Sequence, residues 1–419
     1  MDGGGWADRG RAVGRHEETA EVYTDILPVP TDPLSFLLIC HSYPPVVGGS
    51  EIEAQRVCSA MIRRGHRVLV LCAGGDPMPE VRDWVDPEGV PVRILTRKST
   101  GLWKDRWFAL AVMRQLWRER KNYQCVYFLM QGLHLAAGMP VARLLKKPMC
   151  MKFGGSQVIP LLSQSAVGRI ELSWLRRWAK RILILNPGMV QEAKDHGLPE
   201  DRLLWMPNPV DAAEFRPASE AERRMIRESL GIGQTTMVIL YVGRLSPEKG
   251  LPPLLHAFAK VARQVAGATL VLLGDGPQRQ ELEKESVRLG IAGEQIRFAG
   301  RVPIQQVTRW LQAADVFSLL SPSEGFSCAL EEAMAAGLPS VVTDIPANSQ
   351  LVETDVHGVL VPVGDEQAAA AGFCRLLADT VLRRRMGEAA RRRILDNYTL
   401  DHVCERYEAL FREMTDSGK

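Results

Sequence analysis

Short apolar runs alternate along the chain with segments in which apolar residues recur every three or four positions. The first series of runs covers residues 36–40, 67–73, 91–95, 125–129, 149–153, 182–185 and 203–206. Runs of this length, separated by helical periodicity, are typical of buried parallel strands joined by helices. The pattern predicts a doubly wound α/β domain.

The same alternation restarts in the second half of the chain. Predicted strands there cover residues 237–242, 269–273, 295–298, 316–320, 340–343 and 358–361. Between the two series, MPNPVDAAEFRP (206–217) is rich in proline and lacks periodicity, as a linker would be. We predict a flexible tail (1–33), two domains (34–208 and 236–399), a linker region (209–235) and a final helix (400–419) that the pattern assigns to neither domain.

Composition narrows the class of protein. The 419 residues are 46% hydrophobic and carry a net charge of only +3, and no basic run has the interleaved aromatics of a nucleic-acid footprint. Eight cysteines occur without a Cys-x-x-Cys pair, which is typical of reduced, buried residues. No apolar run is long enough to span a membrane, and residues 1–33 lack the apolar middle of a secretory signal. We expect a cytoplasmic protein that does not bind nucleic acid.

The segment SPSEGFSCALEEAMAAGLPSVVTD (321–344) combines a loop, a helix and a strand. The predicted helix has one apolar stripe, formed by Phe326, Ala329, Leu330, Ala333 and Met334. Glu324 precedes this helix, in a loop at the carboxyl end of a strand, where open parallel sheets bind ligands. Glu332 lies about 130° from the stripe, so we expect it to face away from the core. Two ordinary solvated glutamates are the plain alternative.

Two loops have the chemistry of phosphate binding. In YPPVVGGSE (43–51), Gly48 and Gly49 permit close backbone approach, and Ser50 is expected to cap the next helix. In VGRLSPEKG (242–250), Arg244 and Lys249 flank a proline turn and can grip a phosphate. Taken alone, the first loop is equally explained as an ordinary glycine turn, and the second as a loop with two solvated cations. Neither a P-loop motif nor a dinucleotide-binding Gly-x-Gly-x-x-Gly follows a strand.

Taken together, the ordered motifs resemble the retaining GT-B glycosyltransferases of glycosyltransferase family 4. The resemblance is carried by PPVVGGSE, RRGHRVLVL, MPNPVD, VGRLSPEKG, LLGDGP, IRFAGRV, the 321–344 segment and HGVLVPVGD, and it extends over about residues 34–415. It implies two Rossmann-like domains facing across a cleft, with a nucleotide-diphosphate sugar held mainly by the C-terminal domain. It also implies that the final helix crosses back to the N-terminal domain.

The resemblance carries residue roles with it. Glu332 would accept hydrogen bonds from the ribose, and Glu324 would contact the donor sugar. Arg244 and Lys249 would bind the diphosphate and stabilise it as it leaves. The other donor-binding positions that it implies are Gly48, Gly49, Gly274, Arg301, Val302 and the backbone of Phe326, Ser327 and Cys328.

No Asp-x-Asp occurs in the chain, so the usual carboxylate pair for a metal-bound donor is missing and no metal is expected. The resemblance implies retention at the anomeric carbon. On the acceptor side, Phe153 stands where relatives often carry a histidine. His134 is a substitute candidate, although a lone histidine beside apolar residues is more often only packed.

Residues 102–121 and 173–181 combine tryptophans with arginines and lysines. Basic interfacial helices have this composition, which would bring the protein to the cytoplasmic face of a membrane. Tryptophans at i and i+4 equally form the buried stripe of an ordinary helix. Membrane contact would fit a lipid-linked or membrane-proximal acceptor.

Three functions remain open at this point. The motif order favours glycosyl transfer from a nucleotide sugar. A sugar-nucleotide epimerase or a phosphorylase shares the architecture, and a scaffold would bind the donor without turnover. An epimerase would need no acceptor, and a phosphorylase would need inorganic phosphate.

Overall fold

The computed structural model describes residues 32–46, 48–74, 78–79, 81–96, 102–291 and 293–416. The predicted tail, residues 1–33, lies outside this part of the chain except for its last two residues. Within the described residues, the chain forms two sheets, one in each predicted domain.

The N-terminal sheet has eight strands in the order β3-β4-β2-β1-β5-β6-β7-β8. Its strands are β1 Ser35–Ile39, β2 Arg67–Cys72, β3 Asp83–Val85, β4 Pro91–Ile94, β5 Cys125–Leu129, β6 Met149–Lys152, β7 Arg181–Ile184 and β8 Leu203–Trp205. All neighbouring pairs are parallel except β3 with β4. Every residue of β1 and β5 is buried, as expected for parallel strands covered on both faces.

The C-terminal sheet has six parallel strands in the order β11-β10-β9-β12-β13-β14. They are β9 Met237–Val242, β10 Ala268–Leu273, β11 Ile296–Gly300, β12 Val316–Leu319, β13 Ser340–Thr343 and β14 Gly358–Val361. The prediction of two α/β domains with mainly parallel sheets is confirmed. In both sheets the strand order reverses once, between β1 and β5 and between β9 and β12, and ligands bind at such switch points.

Helices connect most of the strands. They are α1 Gly49–Arg63, α2 Leu102–Arg118, α3 Leu133–Leu144, α4 Val158–Ser163, α5 Ala166–Trp178, α6 Gly188–Asp195, α7 Glu220–Ser229, α8 Leu251–Ala262, α9 Arg279–Arg288, α10 Ile304–Ala313, α11 Cys328–Ala335, α12 Pro346–Ser349, α13 Glu366–Ala378, α14 Thr380–Asn397 and α15 Leu400–Asp416. Helix α7 falls inside the predicted linker region. It is anchored to the C-terminal sheet because Arg223 and Arg227 both pair with Asp315, at 2.9 and 2.8 Å.

The final helix, α15, packs on the N-terminal domain. The Tyr407 hydroxyl lies 3.0 Å from that of Tyr127 in β5, and the Phe411 ring packs at a tilt against Phe36 in β1. The chain therefore passes between the domains twice. The two crossings run side by side, since Val210 pairs with Thr399.

Candidate active site

The loop after β9 carries the predicted diphosphate cations. Gly250 ends it in the left-handed conformation (φ 63°), and a Cβ there would lie 2.0 Å from the Leu320 carbonyl oxygen. Glycine is favoured here because it adopts a positive φ without strain and has no Cβ to collide with the Leu320 carbonyl oxygen. The loop consequently packs directly on the segment that follows β12, at the switch point of the C-terminal sheet.

Lys249 and Glu324 meet across this contact. The Lys249 Nζ lies 2.8 Å from Glu324 Oε1 and 3.0 Å from Oε2, and the two side chains are 26% and 10% exposed. The structure thus brings together the predicted phosphate cation and the predicted sugar carboxylate. Arg244 is exposed and forms no ion pair with any described residue.

Glycines also allow the neighbouring loops to pack closely against each other. A Cβ on Gly274 would lie 1.9 Å from the Gly243 carbonyl oxygen, and one on Gly276 would lie 2.3 Å from that of Leu245. The loops after β9 and β10 therefore form one wall of the cleft. Arg301, exposed, and Val302, half-buried, follow β11 on the far side of β10.

Glu332 does not face solvent, which rules out the plain alternative of a solvated side chain. It is only 7% exposed, because α11 packs on α14 and Arg56 of the N-terminal domain contacts its carboxylate. Its Oε1 accepts a hydrogen bond from Arg56 Nη2 at 3.1 Å. Burial raises the pKa of Glu332, and the Arg56 charge opposes that rise. The Oε2 atom accepts no hydrogen bond from a described residue.

Two residues next to Glu332, Arg56 and Glu331, were not predicted from the sequence. Arg56, on α1, also donates to the Pro209 carbonyl oxygen at 3.2 Å and lies over the Phe215 ring, so it joins both domains and the linker. Helical spacing held a usable signal, since Arg56 lies seven residues and two turns after Gly49 on the same face. Glu331 is 1% exposed, and burial raises its pKa strongly.

Some of the polar groups at the start of α11 already have partners within the protein. Phe326 and Ser327 are buried, and the Ser327 hydroxyl donates to Asn348 Oδ1 at 2.7 Å. The Cys328 N–H donates to the Phe326 carbonyl oxygen at 3.2 Å, so it is not available to a donor phosphate as expected. A Cβ on Gly49 would lie 3.3 Å from Cys328 Sγ, which places the glycine loop against this helix start.

Gly48, rather than the predicted Ser50, occupies the N-cap of α1. The Ser50 hydroxyl donates instead to Glu51 Oε2 at 3.0 Å. The other Glu51 oxygen accepts from the Ser42 hydroxyl at 2.5 Å. A carboxylate near a helix N-terminus meets the positive end of the helix dipole, so this loop is held without a capping serine.

The loops after β6 and β7 touch the C-terminal domain, which the sequence did not indicate. The Ser156 hydroxyl donates to the Glu324 carbonyl oxygen at 2.8 Å, and Asn186 Nδ2 donates to that of Gly325 at 2.7 Å. A Cβ on Gly325 would lie 2.3 Å from Gly155 Cα. Phe153 is fully buried in the core, so the structure corrects its assignment to the acceptor site.

His134 lines a cavity of about 190 Å³ at the carboxyl ends of β1 and β5. The residue is 2% exposed. Burial lowers its pKa to about 4, with the nearby His41 contributing. His41 Nε2 lies 3.0 Å from Asp105 Oδ1 at the same cavity.

The two segments predicted to contact a membrane differ in how far their tryptophans are exposed. Trp174 and Trp178 stack on each other at 5.2 Å and pack against the core, so the buried-stripe alternative describes them. On α2, by contrast, Trp107, Leu110 and Trp117 are 61%, 55% and 51% exposed. No helix in the described part of the chain is long and apolar enough to cross a membrane. Nor do the described residues group three or more potential metal-binding side chains.

Two parallel-sheet domains facing a cleft, with cations and carboxylates at a sheet switch point, define the GT-B class of glycosyltransferases. The family model described as Glycosyltransferase Family 4 matches residues 47–214, and the model for Glycosyl transferases group 1 matches residues 222–393. The chain belongs to this family, as its sequence motifs predicted.

Two relatives match the chain over different lengths. The 2-deoxystreptamine N-acetyl-D-glucosaminyltransferase of Streptomyces fradiae is 28% identical over 385 residues, which cover 85% of this chain and 89% of that protein. A GDP-mannose-dependent alpha-(1-6)-phosphatidylinositol monomannoside mannosyltransferase of Mycolicibacterium smegmatis is 30% identical over 207 residues, or 48% and 53% of the two chains. The fold also matches Anabaena HepE in complex with UDP-glucose, with a TM-score of 0.76, 20% identity, and coverage of 92% and 100%.

Proposed function

We propose that this protein transfers a sugar from a nucleotide-diphosphate sugar to an acceptor hydroxyl, with retention at the anomeric carbon and without a metal ion. The observation that carries the proposal is the contact of Lys249 with Glu324 at the switch point between β9 and β12. The contact supports the proposal, because a cation suited to binding a diphosphate lies beside a carboxylate suited to binding sugar hydroxyls. HepE, which shares the fold, is known in complex with UDP-glucose.

Each residue has a chemical role in this proposal. The acceptor oxygen bonds to the anomeric carbon while the bond to the diphosphate breaks, and the diphosphate keeps the electron pair. Lys249 and Arg244 stabilise the charge that gathers there. The acceptor proton passes to the departing diphosphate on the same face. Glu324 orients the sugar, and the free Oε2 of Glu332 accepts the ribose hydroxyls.

The acceptor is a glycan or lipid-linked molecule in this proposal, reached at the cytoplasmic face of a membrane. Support comes from residues 102–180, which hold fourteen lysines and arginines but only three acidic residues, while the whole chain holds 52 and 49. The exposed face of α2 combines Trp107, Leu110 and Trp117 with cations of this segment. A basic, aromatic helix face binds anionic lipid headgroups.

A vesicle assay tests the membrane contact. The full chain is expected to co-sediment with anionic phosphatidylglycerol vesicles and much less with phosphatidylcholine vesicles. Leu110→Gln should reduce this binding. Val287→Gln, which changes an equally exposed residue on α9, should not. Equal binding to both vesicle types, or equal loss in both variants, would contradict the proposed contact.

The donor is identified by calorimetry with UDP-, GDP-, ADP- and dTDP-sugars. One of these donors should bind and, when an acceptor is present, release its nucleoside diphosphate. Turnover without acceptor would favour an epimerase. A requirement for inorganic phosphate would favour a phosphorylase, and binding with no turnover under any condition would favour a scaffold.

A further inference from the structure

A pocket of the C-terminal domain lies at the edge of the sheet opposite the loops that carry Lys249 and Glu324. Its lining comes from α7, the turn before β9, the segments that precede β12 and β13, and the first turn of α14. Strands β9 and β12 therefore begin at this pocket and end at those two loops. Because β9 has six residues, about 20 Å of sheet separates the pocket from the candidate active site.

The volume and lining of the pocket suit a small organic ligand. Its volume is about 370 Å³, and small-molecule sites range from about 300 to 1,000 Å³. The polar lining consists of four arginines, three threonines, one glutamine and one aspartate. Met237, Leu338 and Pro339 add apolar surface. A ligand that combines a strongly polar group with a small organic part would match both kinds of surface.

The four arginines give the pocket an excess of positive charge. Arg223 and Arg227 lie one turn apart on α7, and both pair with Asp315. Arg383 and Arg384 face them from the start of α14. Asp315 is the one carboxylate among the described residues of the lining, so four cations stand against one anion. A concave surface lined by charges of one sign concentrates ligands of the opposite sign.

The arginines differ in how far their donors are used. Arg227 donates to Asp315 and to three backbone carbonyl oxygens. Arg383 donates to two carbonyl oxygens near the end of α13. These bonds fix the guanidinium groups without cancelling their charge. The Arg384 side chain is 75% exposed, and its Nε lies 4.0 Å from Glu388. Its two terminal nitrogens donate to no described residue, so they are available to a ligand.

Hydroxyl groups complete the set of donors. Thr235 is exposed and Thr236 is half-buried, and neither hydroxyl bonds to a described residue. Phosphate oxygens accept hydrogen bonds from guanidinium and hydroxyl groups alike. The N-terminus of α14 is already capped, because the Asp379 carboxylate accepts from the Leu382 N–H at 2.9 Å. The side chains of the pocket, rather than this helix end, are therefore the groups that would bind an anion.

The charges of the pocket act on one another. Burial lowers the pKa of Arg223, Asp315 opposes that change, and the charges of Arg227 and Arg383 add to it. The guanidinium groups thus repel each other in spite of Asp315. An anion placed among them would offset this repulsion, whereas a neutral ligand would not.

We propose that this pocket binds a small phosphomonoester. Its phosphate pairs with Arg384 and accepts a hydrogen bond from the Thr235 hydroxyl, and its organic part lies against Met237 and Leu338. The inference does not depend on the proposed glycosyl transfer, since none of these residues belongs to the donor site. It adds a second ligand site to the C-terminal domain, at the opposite edge of the same sheet.

Calorimetry on the full chain tests the inference. Glucose 1-phosphate and AMP are the phosphomonoester probes, and methyl α-glucoside and adenosine are their neutral counterparts. At least one phosphomonoester should bind, and its neutral counterpart should bind at least about tenfold more weakly. Arg384→Gln should weaken binding of that phosphomonoester about ten- to hundredfold, and Thr235→Val about tenfold. Both residues are exposed, so both variants should fold, which melting curves will verify.

Two controls separate this pocket from other sites. Arg385→Gln removes an exposed charge from the next residue of α14, which does not line the pocket, and should leave probe affinity unchanged. Lys249→Ala should also leave it unchanged, because a probe in the pocket does not touch the proposed diphosphate site.

Four results would overturn the inference. They are no binding of either phosphomonoester, equal affinity for phosphorylated and neutral probes, equal losses in Arg384→Gln and Arg385→Gln, and loss of probe binding in Lys249→Ala. The last result would place the probe in the donor site. Absence of sugar transfer by the unmodified chain would contradict the proposed function alone, because probe binding in the pocket is measured without turnover.

Discussion

The two walls of the cleft differ in whether their polar groups have partners. On the C-terminal wall, two carboxylates are paired with cations, Glu324 with Lys249 and Glu332 with Arg56. On the N-terminal wall, the cavity carries neutral polar atoms without partners, on Gln131 and His134. Paired charges can be held in place before a charged ligand arrives, and they stabilise charge that develops on a leaving group. Unpaired neutral atoms suit a ligand that brings hydroxyl groups.

The largest effect on the rate of transfer is expected from Lys249→Ala. Loss of one cation from a closed phosphate site costs on the order of 2 to 4 kcal/mol, so transfer should fall about 30- to 1000-fold. Arg244→Ala should reduce transfer in the same range. Lys260→Ala is the control, since Lys260 pairs with Glu366 on another face of the domain. Steady-state rates of transfer measure these effects. Unchanged rates in both Lys249→Ala and Arg244→Ala would contradict the assignment of the diphosphate site to the C-terminal wall.

The next effect concerns the pair between the domains. Removing one partner of a buried ion pair leaves an uncompensated charge and costs about 3–5 kcal/mol, so Arg56→Met should lower the free energy of unfolding clearly. Arg216→Met breaks the exposed pair with Glu222 and should change little. Urea denaturation measures both. Equal stability of the two variants would show that the Arg56–Glu332 contact does not hold the domains together.

A third effect depends on pH. Burial raises the pKa of Glu171 from its usual 4.5 to about 7. The carboxyl is protonated in both states below about pH 4.5, so burial is not penalised there. As pH rises through 7 the folded protein loses up to about 3 kcal/mol relative to the unfolded chain. Glu171→Gln should therefore stabilise the protein at about pH 8 and not at about pH 4, as melting curves at the two pH values will show.

The smallest expected effect is that of chelation. Cations of the C-terminal wall neutralise the diphosphate in the proposed mechanism, so transfer should persist in EDTA. Complete loss that Mn²⁺ or Mg²⁺ restores would show that a metal performs this role.

The sequence was most informative where burial decides structure. Predicted strands in both domains matched to within two residues, because buried parallel strands are continuous apolar runs. The edge strand β3 was missed, since DWV is short and its residues are half-buried or exposed. An edge strand of that kind leaves no apolar pattern to detect.

The site was predictable in its residue types and less so in its surroundings. Loop position and charge pointed to Lys249 and Glu324, which the structure brings together. Helical periodicity placed Glu332 on the polar flank of α11. The pattern of a single helix identifies only one packed face, and α11 is covered on more than one, so the burial of Glu332 was not predicted. Arg56 and Ser156 reach the site from the other domain. Helical spacing from Gly49 indicates which face of α1 carries Arg56, but it does not indicate that Arg56 contacts Glu332.

Calorimetry on Glu332→Gln and Glu324→Gln, paired with initial rates on the full donor, tests most directly that the C-terminal wall holds the donor. Glu332→Gln should weaken binding of the free nucleoside diphosphate, because a charged acceptor of ribose hydroxyls becomes a neutral amide. Glu324→Gln should leave that affinity nearly unchanged while lowering turnover of the intact nucleotide sugar. Equal loss of affinity in both variants, or none in either, would contradict this division of roles.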